Sequence, residues 1–136
     1  MNGHIHFGDL HLEKSYGQWK SYAQSKLANV LFTLEFAKRY PDSNVKIYSL
    51  HPGGVRTSLD RNSCTAKVMT FFFRPMLISP SEGAYTTLYC ALTKEPITNG
   101  AYYDKCKEKQ ASAEGRNPEV AQRLWSETCK LLDIEW

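Results

Sequence analysis

One segment of the chain predicts a buried β-strand, and it lies between segments that predict helices. This segment is VKIYSL at residues 45–50. It is rich in β-branched and aromatic residues and lacks strict polar alternation, which is typical of a strand covered on both faces of a parallel sheet. Because strands that alternate with helices indicate an α/β fold, the sequence predicts an α/β domain with a parallel sheet.

Three segments predict helices around this strand. The first covers residues 19–39 and ends before Tyr40-Pro41, since proline disfavours helical geometry in the residue before it. The second covers residues 80–94 and begins with Ser79-Pro80-Ser81-Glu82, a capping box with proline at the first helical position. The third covers residues 118–132.

The predicted strands are too few for these helices. Besides residues 45–50, only AYY at residues 101–103 predicts a strand, and it is short. Two strands leave the apolar faces of the helices uncovered. We therefore expect the 136 residues to form one domain that either pairs with another chain or is part of a larger fold.

Charge and composition argue against several classes of function. The formal net charge of +3 is too small and too dispersed to indicate nucleic-acid binding. The four cysteines form no CxxC pair and no short Cys/His spacing, which is typical of reduced thiols in a cytosol-facing protein. No segment approaches the roughly 20 apolar residues that span a bilayer, and the first residues lack a signal-peptide pattern.

The first predicted helix carries a polar pair beside its apolar face. Tyr22 and Lys26 are four residues apart, so they lie one turn apart on the same side of a helix. A cation close to a phenol favours the ionised phenol, which can serve as a general acid or base. The alternative is a chance pair on a solvated face, which the spacing alone favours because such pairs are common.

A glycine-containing segment follows the predicted strand. It is His51-Pro52-Gly53-Gly54-Val55, and Thr57 comes two residues later. Ligands bind beyond the carboxyl ends of strands in open α/β sheets, and glycines let them approach the backbone. Thr57 would add a hydroxyl donor. The competing interpretation, which the local sequence favours, is an ordinary Pro-Gly turn.

Two further features leave alternatives open. The apolar segment VMTFFFRPMLI lies within residues 56–79, and its alternatives are a core segment, a membrane-surface patch or a lid over an apolar substrate. Arg74-Pro75 argues against a single long helix, because proline breaks helices. His4 and His6 point the same way in an extended chain, but with no third ligand in view we predict no metal site.

Five segments together carry a resemblance to a known family. They are SYAQSKLANVLFTLEFAKRY, HPGGVRTSL, SPSEGAYTTLYCAL, GAYYDKCKEK and AQRLWSETCKLL. The first contains Tyr22-Ala23-Gln24-Ser25-Lys26 and the second Pro52-Gly53-Gly54-Val55-Arg56-Thr57. These resemble the Tyr-x-x-x-Lys motif and the Pro-Gly segment of the short-chain dehydrogenase/reductase family, and within it the retinol dehydrogenase branch. The resemblance covers residues 3–132.

The resemblance implies a role for each matched residue. Tyr22 would exchange a proton with the carbonyl or alcohol oxygen of the substrate, and Lys26 would activate Tyr22. The residues that bind the nicotinamide end of an NAD(P) cofactor would be Lys26, Pro52, Gly53, Gly54, Val55 and Thr57. The branch favours NADP as cofactor, and retinoids or other apolar aldehydes and ketones as substrates. Residues 56–79 would then form the substrate lid.

The resemblance is confined to the C-terminal half of such a domain. The Gly-rich phosphate loop and the Asn-Ala-Gly segment of the family are absent from the chain. The catalytic serine is expected just upstream of residues 3–7, and neither Ser15 nor Ser21 fits its position. We therefore expect an incomplete Rossmann-like doubly wound parallel sheet without its N-terminal cofactor-binding half, and no dehydrogenase activity from the isolated chain.

Two other functions stay open. The first is a non-catalytic short isoform that pairs with a full-length partner through an exposed sheet edge or through helices, and the second is a membrane-surface module that uses residues 71–73. For the oxidoreductase, the expected partner is an apolar small molecule such as retinal or retinol. Peripheral membrane contact and a homo-oligomer are further expectations, at a cytosol-facing site on the endoplasmic reticulum or another membrane.

Overall fold

The computed structural model of the chain describes residues 3–56 and 77–135. The chain divides into two compact units. The first comprises Met1–Ser49, Thr98–Tyr102 and Lys109–Trp136, and the second comprises Leu50–Ile97 and Tyr103–Glu108. Each unit is described by itself below.

The described residues form helices and strands in mixed order, and two of the strands are consecutive. The elements are α1 (Gln18–Arg39), β1 (Ser49–His51), α2 (Pro80–Leu92), β2 (Tyr102–Asp104), β3 (Lys107–Lys109), a 3-10 turn (Glu114–Arg116) and α3 (Pro118–Leu132). The strands form a three-stranded sheet in the order β1-β2-β3.

The core of the first unit lies where α3 and the N-terminal residues meet α1. Its buried apolar side chains are Ile5, Leu27, Leu31, Ala121 and Leu124. α3 begins at this core because the Asn117 side chain accepts hydrogen bonds from the first-turn N–H groups of Glu119 and Val120. Burial of one apolar stripe of α1 leaves its other side, which carries Tyr22 and Lys26, exposed.

The C-terminal end of α1 contains a buried acidic side chain. Glu35 is 2% exposed, and its Oε1 accepts a hydrogen bond of 2.7 Å from Arg39 Nε. The Arg39 guanidinium also lies 5.0 Å from the centre of the Trp125 ring on α3. Because a buried carboxylate is costly unless it is paired, Arg39 compensates for the burial of Glu35 while it packs against Trp125.

The strand predicted at residues 45–50 is shorter in the structure, because β1 covers only Ser49–His51. The backbone groups of Ile47 are bound to a turn instead. Ile47 N donates to Asn99 Oδ1 at 2.9 Å, and Gly100 N donates to Ile47 O at 2.8 Å. The ladder therefore does not extend to residues 45–48. Val45 is exposed, so the prediction of burial on both faces is wrong for this residue.

Sequence patterns did not predict the hairpin formed by β2 and β3. Lys105 and Cys106 connect the two strands and have φ angles of 51° and 58°. Two successive left-handed residues are the geometry of a tight hairpin turn, but such turns usually contain Asn-Gly or Asp-Gly. Cys106 N donates to the buried Thr86 hydroxyl on α2 at 3.3 Å, so a contact remote in sequence supports the turn.

α2 begins with the capping box that the sequence predicts. Ser79 Oγ accepts from Glu82 N at 3.2 Å, and the Glu82 carboxylate accepts from Ser79 N at 2.7 Å. Hydrogen bonds from the Ser79 hydroxyl and backbone N–H, together with the nearby charge of Arg56, hold the pKa of Glu82 below its ordinary value of 4.5. The carboxylate therefore stabilises the start of α2 in its ionised form.

We expect this capping box to give α2 an acid-dependent stability. Because the pKa of Glu82 is lowered on folding, its contribution is complete above the ordinary value of 4.5 and is lost as the pH falls through the folded-state value. The melting temperature of Glu82→Gln should therefore fall less on acidification than that of the wild type. Circular dichroism melts over a pH series measure this difference. Glu108→Gln, on the exposed strand β3, is the control. If the melting temperature depended on pH equally in both variants, the prediction would be contradicted.

Candidate functional site

Tyr22 and Lys26 lie one turn apart on the exposed side of α1. Lys26 Nζ is 5.5 Å from the centre of the Tyr22 ring, which is within the range of a cation–π contact. The Tyr22 side chain remains accessible, since the residue is 40% exposed. The proximity predicted from the four-residue spacing is therefore present, and the catalytic role of the pair stays a prediction.

Tyr22 lines a hollow of about 510 Å³ in the first unit. The other residues around this hollow, which we call the Tyr22 hollow, are Gly3, His4, His6, Trp19, Lys20 and Ala23. Trp19 is 69% exposed, and its ring meets that of Tyr22 edge to face, with centres 6.4 Å apart. The volume is in the range of small-molecule sites, and the two rings provide an aromatic wall.

The N-terminal segment, residues 3–12, contributes Gly3, His4 and His6 to the lining of the Tyr22 hollow, and Gln24 holds this segment against α1. Gln24 Oε1 accepts from His6 N at 2.8 Å, and Gln24 Nε2 donates to Leu10 O at 2.9 Å. Sequence analysis gave Gln24 no role. The available signal was its position three residues before Leu27, which places a polar amide on the buried stripe of the helix.

A network of polar contacts fixes the loop that leads into α1. Asp9 accepts hydrogen bonds from Lys14 N and from the Ser15 hydroxyl, and Ser15 Oγ in turn accepts one from Lys20 Nζ at 2.7 Å. Desolvation raises the pKa of the Asp9 carboxyl, but these hydrogen bonds outweigh it and hold that pKa below its ordinary value. The Ser15 hydroxyl therefore links Asp9 and Lys20 within this loop.

The glycine segment lies in the second unit, where it forms an ordered turn after β1. Gly53 has a φ of +84°, a backbone conformation that favours glycine. Val55 pairs in parallel with Ile78, just before α2. A Cβ on Gly83 would lie 2.5 Å from Val55 Cγ2, so only glycine lets α2 start this close to the turn. Val55 thus pairs with the residues that lead into α2. The cofactor role of residues 52–55 stays a prediction.

The predicted site is divided between the two units. Tyr22 and Lys26 belong to the first unit, and Pro52, Gly53, Gly54 and Val55 belong to the second. Thr57 and residues 57–76 of the predicted lid, which covers residues 56–79, lie outside the described residues.

No metal centre is evident in the part of the chain that the structure describes. Among residues 3–56 and 77–135, no group of three or more His, Cys, Asp or Glu side chains is placed to hold a metal ion. His4 Nδ1 lies 3.5 Å from the Glu114 carboxylate.

Among residues 3–56 and 77–135, no helix combines the length and the apolar character needed to cross a membrane.

Comparison with known proteins found close sequence relatives. Over 98% of its length the chain is 44% identical to human "Retinol dehydrogenase 12", 42% identical to mouse "Retinol dehydrogenase 11" and 36% identical to human "Retinol dehydrogenase 13". The chain spans about 43% of the length of each of these relatives. No family model matches the chain.

A solved structure supports the fold. The crystal structure of an uncharacterised protein from Mycobacterium paratuberculosis matches 98% of this chain with a TM-score of 0.72 and 25% sequence identity, and the match covers 46% of that protein. The predicted fold class is therefore confirmed: the three-stranded sheet and its helices are part of a Rossmann-like α/β fold.

Proposed function

Because this chain resembles the C-terminal half of the retinol dehydrogenase 11–14 branch of the short-chain dehydrogenase/reductase family, we propose that it is the part of an oxidoreductase that carries the catalytic helix. The enzyme would interconvert an alcohol and an aldehyde or ketone on an apolar substrate. The observation that carries this proposal is the contact between the Lys26 ammonium and the Tyr22 ring on the open side of α1, beside the Tyr22 hollow.

The chemistry follows from the groups on α1. In the reducing direction the Tyr22 hydroxyl donates a proton to the carbonyl oxygen, and in the oxidising direction it takes the proton back from the alcohol. The Lys26 ammonium would favour the phenolate that remains after proton transfer, because opposite charges attract. The nicotinamide cofactor, when bound, supplies or accepts the hydride that balances this proton.

The residues of this chain fit only one end of such a cofactor. Lys26 is exposed and would offer an ammonium donor to ribose hydroxyls, and Gly53, which has a left-handed backbone and no Cβ, would let a flat ring approach the main chain. No glycine-rich loop for the phosphates occurs in the sequence. We propose NAD(P) as the cofactor, with NADP favoured by resemblance to the branch, and Pro52, Gly53, Gly54, Val55 and Thr57 as its further contacts.

The proposed substrate is a retinoid or a comparable lipid aldehyde. The aromatic wall formed by Trp19 and Tyr22 suits a flat conjugated chain, and the Tyr22 hollow is large enough for one end of such a molecule. Peripheral contact with a membrane, at the endoplasmic reticulum or another cytosol-facing surface, would bring the enzyme to a substrate that partitions into lipid. Assembly into a homo-oligomer is a further part of this proposal.

The isolated chain should be inactive. Without a phosphate loop it lacks the backbone N–H groups that bind the pyrophosphate, and without the catalytic serine it lacks a stabiliser of the developing oxyanion. We expect no turnover when purified chain is incubated with retinal and NADPH. Steady-state turnover by these 136 residues alone would overturn the expectation.

Sequencing the transcript upstream of Met1 tests the proposal directly. We expect the open reading frame to continue upstream and to encode a Gly-rich turn followed by a strand that ends in serine. The full-length polypeptide should then reduce retinal with NADPH. An in-frame stop codon just before Met1, or a full-length polypeptide that folds but neither binds a nicotinamide nucleotide nor reduces retinal, would contradict the proposal.

The alternative is a non-catalytic short isoform that acts as a protein-interaction module. The observation in its favour is an apolar exposed face on α2, formed by Tyr85, Leu88 and Leu92. An apolar face of this kind is typical of a surface that packs against another polypeptide. Gel filtration and thermal melting of the purified chain test this function, since a monomer with a cooperative transition would argue against an obligate partner.

A further inference from the structure

The amide of Gln24 makes two hydrogen bonds to one segment. Its oxygen accepts from His6 N and its nitrogen donates to Leu10 O, so it bridges residues 6 to 10 from a single point on α1. Gln24 is only 9% exposed, although glutamine is usually a surface residue. An apolar side chain at this position would leave both backbone groups without this partner, at a cost typical of unsatisfied buried polar groups.

A second contact brings the same segment close to α1. A Cβ added to Gly3 would lie 2.8 Å from Ala23 O, which is closer than real Cβ atoms approach. Any larger residue at position 3 would therefore push the segment away from the helix. Gln24 and Gly3 thus fix the segment at two points, on either side of Ile5, whose side chain is buried in the core.

The segment held in this way forms a wall of the Tyr22 hollow. Gly3, His4 and His6 line the hollow together with Tyr22, and Gln24 itself is not among its lining residues. A displacement of the segment therefore changes the shape of the hollow that Tyr22 lines, without any change to Tyr22 itself. Misplacement of a reacting group by about 1 Å can cost roughly 10²-fold in rate.

We propose that Gln24 is a positioning residue, which holds the N-terminal segment at the distance from Tyr22 that orients the substrate oxygen. This inference rests on the proposed function, because it assigns the Tyr22 hollow to the substrate. Gln24 acts through His6 and Leu10 and does not touch the substrate. The role is additional to the Tyr22 and Lys26 pair.

The first experiment uses the 136-residue chain and two matched pairs of variants. Gln24→Met keeps the size of the side chain and removes both hydrogen bonds, and Gln122→Met makes the same change at an exposed site on α3. Gly3→Ala introduces the clash with Ala23 O, whereas Gly8→Ala adds a Cβ with nothing within 4 Å. We expect faster amide hydrogen exchange over residues 5–12 in Gln24→Met and Gly3→Ala and no change in the two controls.

The second experiment measures kinetics of the full-length polypeptide with retinal and NADPH. For Gln24→Met and Gly3→Ala we expect kcat/KM for retinal to fall by about 10- to 100-fold while the KM for NADPH stays unchanged. A purely structural role would lower only the fraction of folded, active polypeptide. Its kcat/KM for retinal, expressed per active site titrated by NADPH binding, would then stay at the wild-type value, whereas the positioning role lowers this value. Two independent substitutions keep the test decisive if one of them prevents folding.

The outcomes separate this inference from the proposed function. If the wild-type polypeptide turns over retinal but Gln24→Met and Gly3→Ala match their controls in exchange or in kcat/KM, the positioning role is overturned and the proposed function stands. If the wild-type polypeptide is folded and shows no turnover, the proposed function fails and the positioning role fails with it. Faster exchange together with the selective loss of kcat/KM supports both.

Discussion

Replacement of Tyr22 by phenylalanine should lower kcat of the full-length polypeptide by about 10²- to 10⁴-fold, the usual contribution of a general acid or base. The substitution removes only the hydroxyl that would exchange a proton with the substrate. Tyr22 is on the exposed side of α1 and outside the buried core, so the melting temperature should not change. Steady-state kinetics with retinal and NADPH, together with a thermal melt, measure both quantities.

Tyr16→Phe is the matched control for this prediction. It removes the same hydroxyl from an exposed tyrosine shortly before α1, outside the residues that line the Tyr22 hollow. We expect its kcat to equal that of the wild type. If Tyr22→Phe also kept a near-normal rate, Tyr22 would have no part in proton transfer, and the interpretation of the Tyr22 and Lys26 pair as catalytic would fail.

Leu31→Ala should destabilise the chain by about 2–5 kcal/mol, the range measured when a large buried side chain is truncated. Leu31 is fully buried at the centre of the first unit, where it belongs to one cluster with Ile5 and Leu124. The loss therefore affects α1, α3 and the N-terminal segment together. Urea denaturation followed by circular dichroism measures the change in the free energy of unfolding.

Leu131→Ala provides the comparison for this second prediction. Leu131 lies on α3 and is exposed, so the same truncation removes little buried surface and should change the free energy of unfolding only slightly. Equal losses in the two variants would show that the core described around Leu31 does not stabilise the chain.

Local interactions explain which features the sequence predicts well. The start of α2 depends on Ser79 and Glu82, and the start of α3 depends on Asn117, so each cap involves residues no more than three positions apart. The contact between Tyr22 and Lys26 likewise follows from the pitch of one helix. Such features form wherever the helix forms, and sequence patterns describe them directly.

Other features depend on contacts between residues that are distant in the chain. Ile47 is bound to Asn99, which shortens β1, and Cys106 is bound to Thr86, which supports an unusual hairpin turn. Neither partner is visible in a local pattern. That the Tyr22 pair and residues 52–55 share one site stays a prediction, since they belong to two units that are each described by themselves.

By itself the sequence determined the α/β class, the three helices, the capping box of α2, and the side of α1 on which a phenol and an ammonium meet. These depend on side-chain periodicity and on hydrogen bonds within one turn. Only the tertiary structure decided where β1 begins and that the Gln24 amide holds the N-terminal segment against α1. Both depend on which distant backbone groups must be hydrogen-bonded once they leave water.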